Sequence, residues 1–252
     1  MTAASIIAAF AWIGFWPLVA AAQDTTVCNP ANLQGAYGFQ LSGRTTISGD
    51  AKPVASMGRV EFDGKGAVTG VSSVNFAGYF LGNPVTGKYE AQTDCSIVWS
   101  LQDDSGAWQH FEGKLTPDLL AAQFHQTDPG GAQNGTMQKV ASTCSLAGLG
   151  ARYGFSLSGS AIPMNPGEVP RRISATGLAE PDPAGAIKLT LGDTAGSGTI
   201  VIGSDCIAQL TLSLPSGETV VLRGILVDGG KRILTIETDP GTTVTATFTA
   251  RP

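Results

Sequence analysis

From residue 27 onward apolar and polar side chains alternate in short runs. Turn-forming residues interrupt them about every 8 to 15 positions, the spacing of an antiparallel β protein. Nowhere does a 3.6-residue period persist, so helices are not expected. In the first half the pattern predicts strands over 37–42, 57–62, 67–76, 87–92, 97–101, 108–115, 122–127 and 135–140. The turns between them are explicit: Asp63-Gly64-Lys65-Gly66, Asp103-Asp104-Ser105-Gly106, Pro117-Asp118 and Asp128-Pro129-Gly130-Gly131. These are residues that tolerate positive φ, preset a turn or cap one with a side-chain oxygen. A two-residue turn at Pro117-Asp118 would set His110 opposite His125 on one face of a hairpin, and Phe111 opposite Phe124 on the other.

The same scheme returns in the second half. Tyr37-Gly38-Phe39-Gln40-Leu41-Ser42-Gly43 recurs as Tyr153-Gly154-Phe155-Ser156-Leu157-Ser158-Gly159, with a Leu four positions and a Cys nine positions before each Tyr. Residues 58–68 align without gaps on 177–187, and 87–101 on 198–212, which pairs Asp94-Cys95 with Asp205-Cys206. Thr127-Asp128-Pro129-Gly130 returns as Thr238-Asp239-Pro240-Gly241 at the same offset. The chain is a tandem duplication, with repeats at 23–140 and 141–252. Each is long enough for a core of its own. About eight short strands per copy predict two up-and-down antiparallel β-barrels, closure being the way to remove exposed edges; β-sandwiches are the alternative.

Four Cys allow three pairings. The duplication favours Cys28 with Cys95 and Cys144 with Cys206, because a unit that once folded alone would have closed its own bridge. Residues 1–22 carry no charged side chain and end in Ala20-Ala21-Ala22, which predicts an export signal cleaved near Ala22, with an uncleaved anchor as the alternative. The segment Thr25-Thr26-Val27 before Cys28 lacks a lipoprotein signature. The expected location is outside the cytoplasm: secreted, periplasmic or at the cell surface, with no membrane attachment after cleavage.

The repeated pattern resembles that of a group of exported bacterial β-proteins: Cys, Leu-x-x-x-Tyr-Gly-Phe, a Phe-Asp-Gly-x-Gly hairpin, Asp-Cys and a closing Thr-Asp-Pro-Gly. This resemblance implies bacterial export and a β architecture and carries over no activity. The chain is also similar, more faintly, to calycin-type barrels, where a Gly-x-aromatic of the first strand packs near a basic residue of the last. Gly35-Ala36-Tyr37 with Lys139, and Tyr153 with Arg251, would occupy those places. Tyr stands where such barrels use Trp, and Ala151 where they use Gly.

Composition narrows function by exclusion. Among 252 residues 42% are hydrophobic and 14% charged, with 33 Gly and a net charge of -5, which removes the basic footprint of a nucleic-acid binder. No metal or cofactor motif is present. His110 and His125 are the only His, and with Trp108 they form a candidate surface contact. Phe39, Leu41, Phe62, Phe111 and Phe124 line a candidate ligand cavity or simply form the core. No nucleophile motif is recognisable, and the expected function is non-enzymatic: binding of an apolar small molecule or an extracellular partner. The alternatives are a barrel-type cyclase or isomerase drawing on Glu61, Glu90, Glu112, Glu180 or Glu237, and a structural matrix component. Oligomeric state is open.

Overall fold

A computed structural model describes residues 27–47, 49–163 and 168–252; residues 1–22, read above as an export signal, lie outside them. The first barrel comprises β1 (Gln34–Ile47), β2 (Asp50–Asp63), β3 (Ala67–Phe76), β4 (Tyr79–Ala91), β5 (Ser96–Asp103), β6 (Trp108–Leu115), β7 (Ala121–Gln126) and β8 (Gly131–Lys139). The second comprises β9 (Tyr153–Ala161), β10 (Arg171–Pro181), β11 (Ala186–Leu191), β12 (Thr194–Ile202), β13 (Ile207–Ser213), β14 (Thr219–Val227), β15 (Arg232–Glu237) and β16 (Thr242–Ala250). In each, successive strands pair antiparallel and the last pairs with the first, β8 with β1 and β16 with β9. Both sheets are therefore closed barrels and not sandwiches. Among the described residues no helix is long and apolar enough to cross a membrane.

β1, β2 and β4 run well beyond their apolar stretches, reaching 13 or 14 residues. A long hairpin supplies backbone partners whatever its side chains are, so the ladder continues past the hydrophobic pattern that predicted it.

The sequence motifs shared by the two copies are spent on holding the barrels shut. Tyr37 donates its hydroxyl to Leu119 O at 2.7 Å, and Tyr153 donates to Gly230 O at 2.6 Å. Burial pushes both phenols above their ordinary pKa, Tyr37 to about 12. Asp128 and Asp239 accept the backbone N–H of His110 and Val221 at 2.8 Å each, and Thr127 and Thr238 donate their N–H to the same two residues' carbonyls. The Thr-Asp-Pro-Gly motif thus ties the end of one hairpin to the strand beside it. Asp94 and Asp205 cap the turns in which Cys95 and Cys206 take positive φ. The bridges are Cys28–Cys95 and Cys144–Cys206, with Cα atoms 5.1 and 4.9 Å apart. Two closed bridges belong to an oxidising, extracytoplasmic environment.

The barrels also pack on each other. Where β7 places Gln123 and His125 outward, β15 places Leu234 and Ile236, and both are fully buried. They sit in one apolar cluster with Ala55 and Met57 from the outer face of β2. Gly38 of β1 makes room for Ile225 and Val227, whose side chains would lie 2.8 and 2.6 Å from a Cβ there. Polar groups fix the register: Gln40 Nε2 donates to Thr235 O and Ala246 O, and Asn75 Nδ2 donates to Glu237 O. Sequence reasoning missed this interface. Its signal was the apolar outer face of a strand whose copy-one counterpart is polar.

One buried carboxyl in the second barrel has no acidic counterpart in the first. Glu237 is 4% exposed, and burial pushes its pKa from 4.5 up to about 7. Its equivalent by the repeat is Gln126. The neutral form is favoured in the folded state, so the group stabilises the fold fully below about pH 4.5. That contribution is lost as pH rises through about 7. The lost stability is on the order of 3 kcal/mol. Glu237→Gln is expected to abolish this alkaline decline, checked by urea unfolding between pH 4.5 and 8. An unchanged pH slope in the variant would refute the assignment. Asp63, Asp94, Asp103, Asp118 and Asp128 have lowered pKa values and work the opposite way, losing stability in acid.

Candidate binding surface on the first barrel

Phe39, Leu41, Phe62, Phe111 and Phe124 all lie in the core of the first barrel, each less than 5% exposed. Trp99 is their hub. Its ring is 4.7 Å from Phe111, 5.1 Å from Phe124 and 5.9 Å from Phe39, and Phe62 continues the stack to Tyr37 at 5.3 Å and Tyr89 at 4.8 Å. Edge-to-face contacts, with one tilted pair at Trp99–Phe111, fill the lumen. Toward the opposite end, where Ser72, Asn83 and Gln109 replace the aromatics, a cavity of about 60 Å³ remains, room for a few waters but well under the 300–1,000 Å³ of a small-molecule site. Lys139 closes the aromatic end, with Nζ 4.7 Å above the Tyr37 ring and a hydrogen bond to Gln34 O. In the second barrel Arg251 lies against Gly154.

The hairpin carrying the two His differs from the expected register. Leu115 pairs with Ala122 and Glu112 with His125, so the turn spans six residues rather than two. Thr116 and Asp118 side chains bond within it, and Leu119 takes a φ of 59° to aim its carbonyl at Tyr37. Every pairing moves by two residues, which preserves the faces but separates the His. His125 Nε2 meets Glu112 Oε1 at 3.1 Å. His110 Nδ1 meets Asp128 Oδ1 at 2.7 Å, with Trp108 stacked on its ring at 6.2 Å. Phe111 and Phe124 still touch, diagonally, at 5.5 Å.

Outer-face residues of β5 to β8 and β1 form the floor of a groove of about 760 Å³, bounded on the far side by Arg232 of the second barrel. Amides and hydroxyls dominate: Gln40, Ser42, Ser96, Gln123, Asn134 and Thr136, with Glu112, Lys114 and His125 among them. A second cleft of about 530 Å³, over β4 to β6, shares Val98 and Glu112 with the first and includes Lys88, Ser100 and His110. Trp108, 47% exposed, stands beside it.

Asp63, Asp103 and Asp118 cap turns, each accepting backbone N–H groups. Of the strand carboxylates, Glu61, Glu90 and Glu112 are exposed, Glu180 pairs with Arg152 at 2.8 Å, and buried Glu237 borders neither groove. Among the described residues no group of three or more His, Cys, Asp or Glu is placed to hold a metal ion. The chain matches no protein-family model and none of the curated protein sequences with which it was compared.

Proposed function

We propose that the protein is a secreted binding protein whose ligand lies on the outside of the first barrel and not in its lumen. The observation that carries this reading is the amide-rich groove, wide enough for an extended ligand and held rigid by two closed barrels locked together through Gln40, Asn75 and Gly38. Side-chain amides offer both donors and acceptors, as do hydroxyls. Few apolar side chains point into the groove, and charges of both signs border it. Those features suit a neutral, hydroxyl-rich chain such as an oligosaccharide, with exposed Trp108 as a stacking surface beside the adjoining cleft.

The same logic explains why the duplication does not give two sites. The residues both copies retain are the architectural ones, whereas Gln123, His125 and Glu112 are replaced by Leu234, Ile236 and Arg223 in the second copy. One barrel keeps a polar face for the outside, and its twin turned that face into the interface.

Titration of the oxidised mature chain with neutral oligosaccharides tests the reading. Gln123→Ala and Asn134→Ala are each expected to weaken binding about tenfold, the loss of roughly one hydrogen bond. Saccharide binding unaffected by either change would overturn the groove. So would native mass spectrometry finding an apolar small molecule carried by the protein from its producing cells, which would return the ligand to the lumen.

A further inference from the structure

Across the outer face of β4, β5 and β6 one cross-strand row reads Lys88, Ser100, His110, set by the pairings Lys88↔Ser100 and Ser100↔His110. All three line the 530 Å³ cleft. On the far side of His110 stands Asp128, whose carboxylate takes both the ring nitrogen Nδ1 at 2.7 Å and the backbone N–H at 2.8 Å. The His110 carbonyl also turns that way, accepting from Thr127 N. His110 and Ser100 therefore form a non-hydrogen-bonded pair, the closer of the two antiparallel types, with Cα atoms about 4.5 Å apart.

We infer that Ser100, His110 and Asp128 form a nucleophilic triad for ester hydrolysis on the surface of the first barrel. The three side chains stand in the order that the chemistry requires. With Nδ1–H given to Asp128 on the β7 side, Nε2 is the ring nitrogen left to act as base, and Ser100 is the cross-strand neighbour of His110 on the β5 side. The carboxylate is held ionised: burial pushes Asp128 up, but the His110 backbone and ring and Gln126 donate enough to bring it below the ordinary value. Ser100 closes the triad by rotation about χ1, as nucleophiles in ligand-free sites often must.

In the first step Ser100 Oγ bonds to the ester carbonyl carbon as its proton passes to His110 Nε2. Lys88, on the other flank of Ser100, faces the carbonyl oxygen as it gains negative charge. The carbon–oxygen bond to the alcohol then breaks and Nε2 returns the proton to that oxygen. Water repeats the sequence on the acyl-serine, releasing a carboxylic acid and restoring Ser100. Glu90 and Glu112 in the neighbouring row repel anionic substrates, and exposed Val98 between them offers a small apolar surface to a short acyl chain. The substrate class is a neutral ester with a small acyl group.

None of this was visible as a motif, because Ser100, His110 and Asp128 share no local spacing. In the second copy the row is Thr199, Thr211 and Val221, and only the aspartate persists, as Asp239. The proposal goes beyond oligosaccharide binding and stands without it, since labelling of Ser100 requires no groove ligand.

The oxidised mature chain treated with an alkyl fluorophosphonate should carry the label on Ser100, located by peptide mass spectrometry. With p-nitrophenyl acetate and butyrate, Ser100→Ala and His110→Gln are each expected to lower turnover about 100-fold while near-ultraviolet circular dichroism stays unchanged. Absence of label from Ser100 in the unaltered protein overturns the inference without reliance on any variant. Label that persists undiminished in His110→Gln does so too, because it reduces Ser100 to an ordinary exposed hydroxyl.

Discussion

Trp99→Ala is expected to destabilise the first barrel by about 3–5 kcal/mol, the range for truncating a buried large aromatic. The ring touches Phe39, Phe62, Phe111 and Phe124 at centroid distances between 4.7 and 6.2 Å, so its removal leaves a hole that four other rings cannot close without leaving their rotamers. Trp108 remains as a fluorescent reporter in the same barrel, and urea unfolding followed through it measures the loss directly. The result bears on function as well as on stability. A loss under about 1 kcal/mol would mean a loosely filled lumen with space for a ligand, and the argument for an exterior site would fail with it.

Removing the Cys28–Cys95 bridge, by changing both residues to Ala, is expected to cost about 4 kcal/mol, since it frees a loop closed over 67 residues. The bridge anchors the segment before β1 to the β4–β5 turn, next to Leu33 and Tyr89 at the aromatic end of the barrel. Its loss would first loosen the Tyr89 hydroxyl contact to Leu33 O and the cover over the ring stack. Denaturant midpoints of the oxidised protein and the double variant give the number, and thiol titration of the native chain should find no reactive sulfur. A free thiol in protein purified from its producing cells would contradict the extracytoplasmic location that supports secretion.

Much of the architecture could be read from residue order. The alternation of apolar and polar positions predicted strands, the Tyr-Gly-Phe and Thr-Asp-Pro-Gly repeats predicted two similar units, and the Cys positions within each copy predicted their bridges. Each is a local or copy-to-copy property. Strand periodicity is set by which face a side chain takes, and a duplication preserves whatever contacts its unit already had. Trp108, read as a surface contact, is indeed 47% exposed.

What required the tertiary structure was register and contact between distant strands. The turn after β6 holds six residues because Leu119 must deliver its carbonyl to Tyr37, 82 positions away in sequence, and no two-residue count could include that demand. The resulting two-residue shift separates His110 from His125 and leaves His110 between Asp128 and Ser100. Closure by β1 and β8, the burial of Leu234 and Ile236 against Met57, and the groove bounded by Arg232 likewise depend on pairings between segments far apart in the chain. Hydrophobic pattern determines which side of a strand faces inward. Only the packed barrels decide which side chains meet on the outside, and there the candidate chemistry of this protein lies.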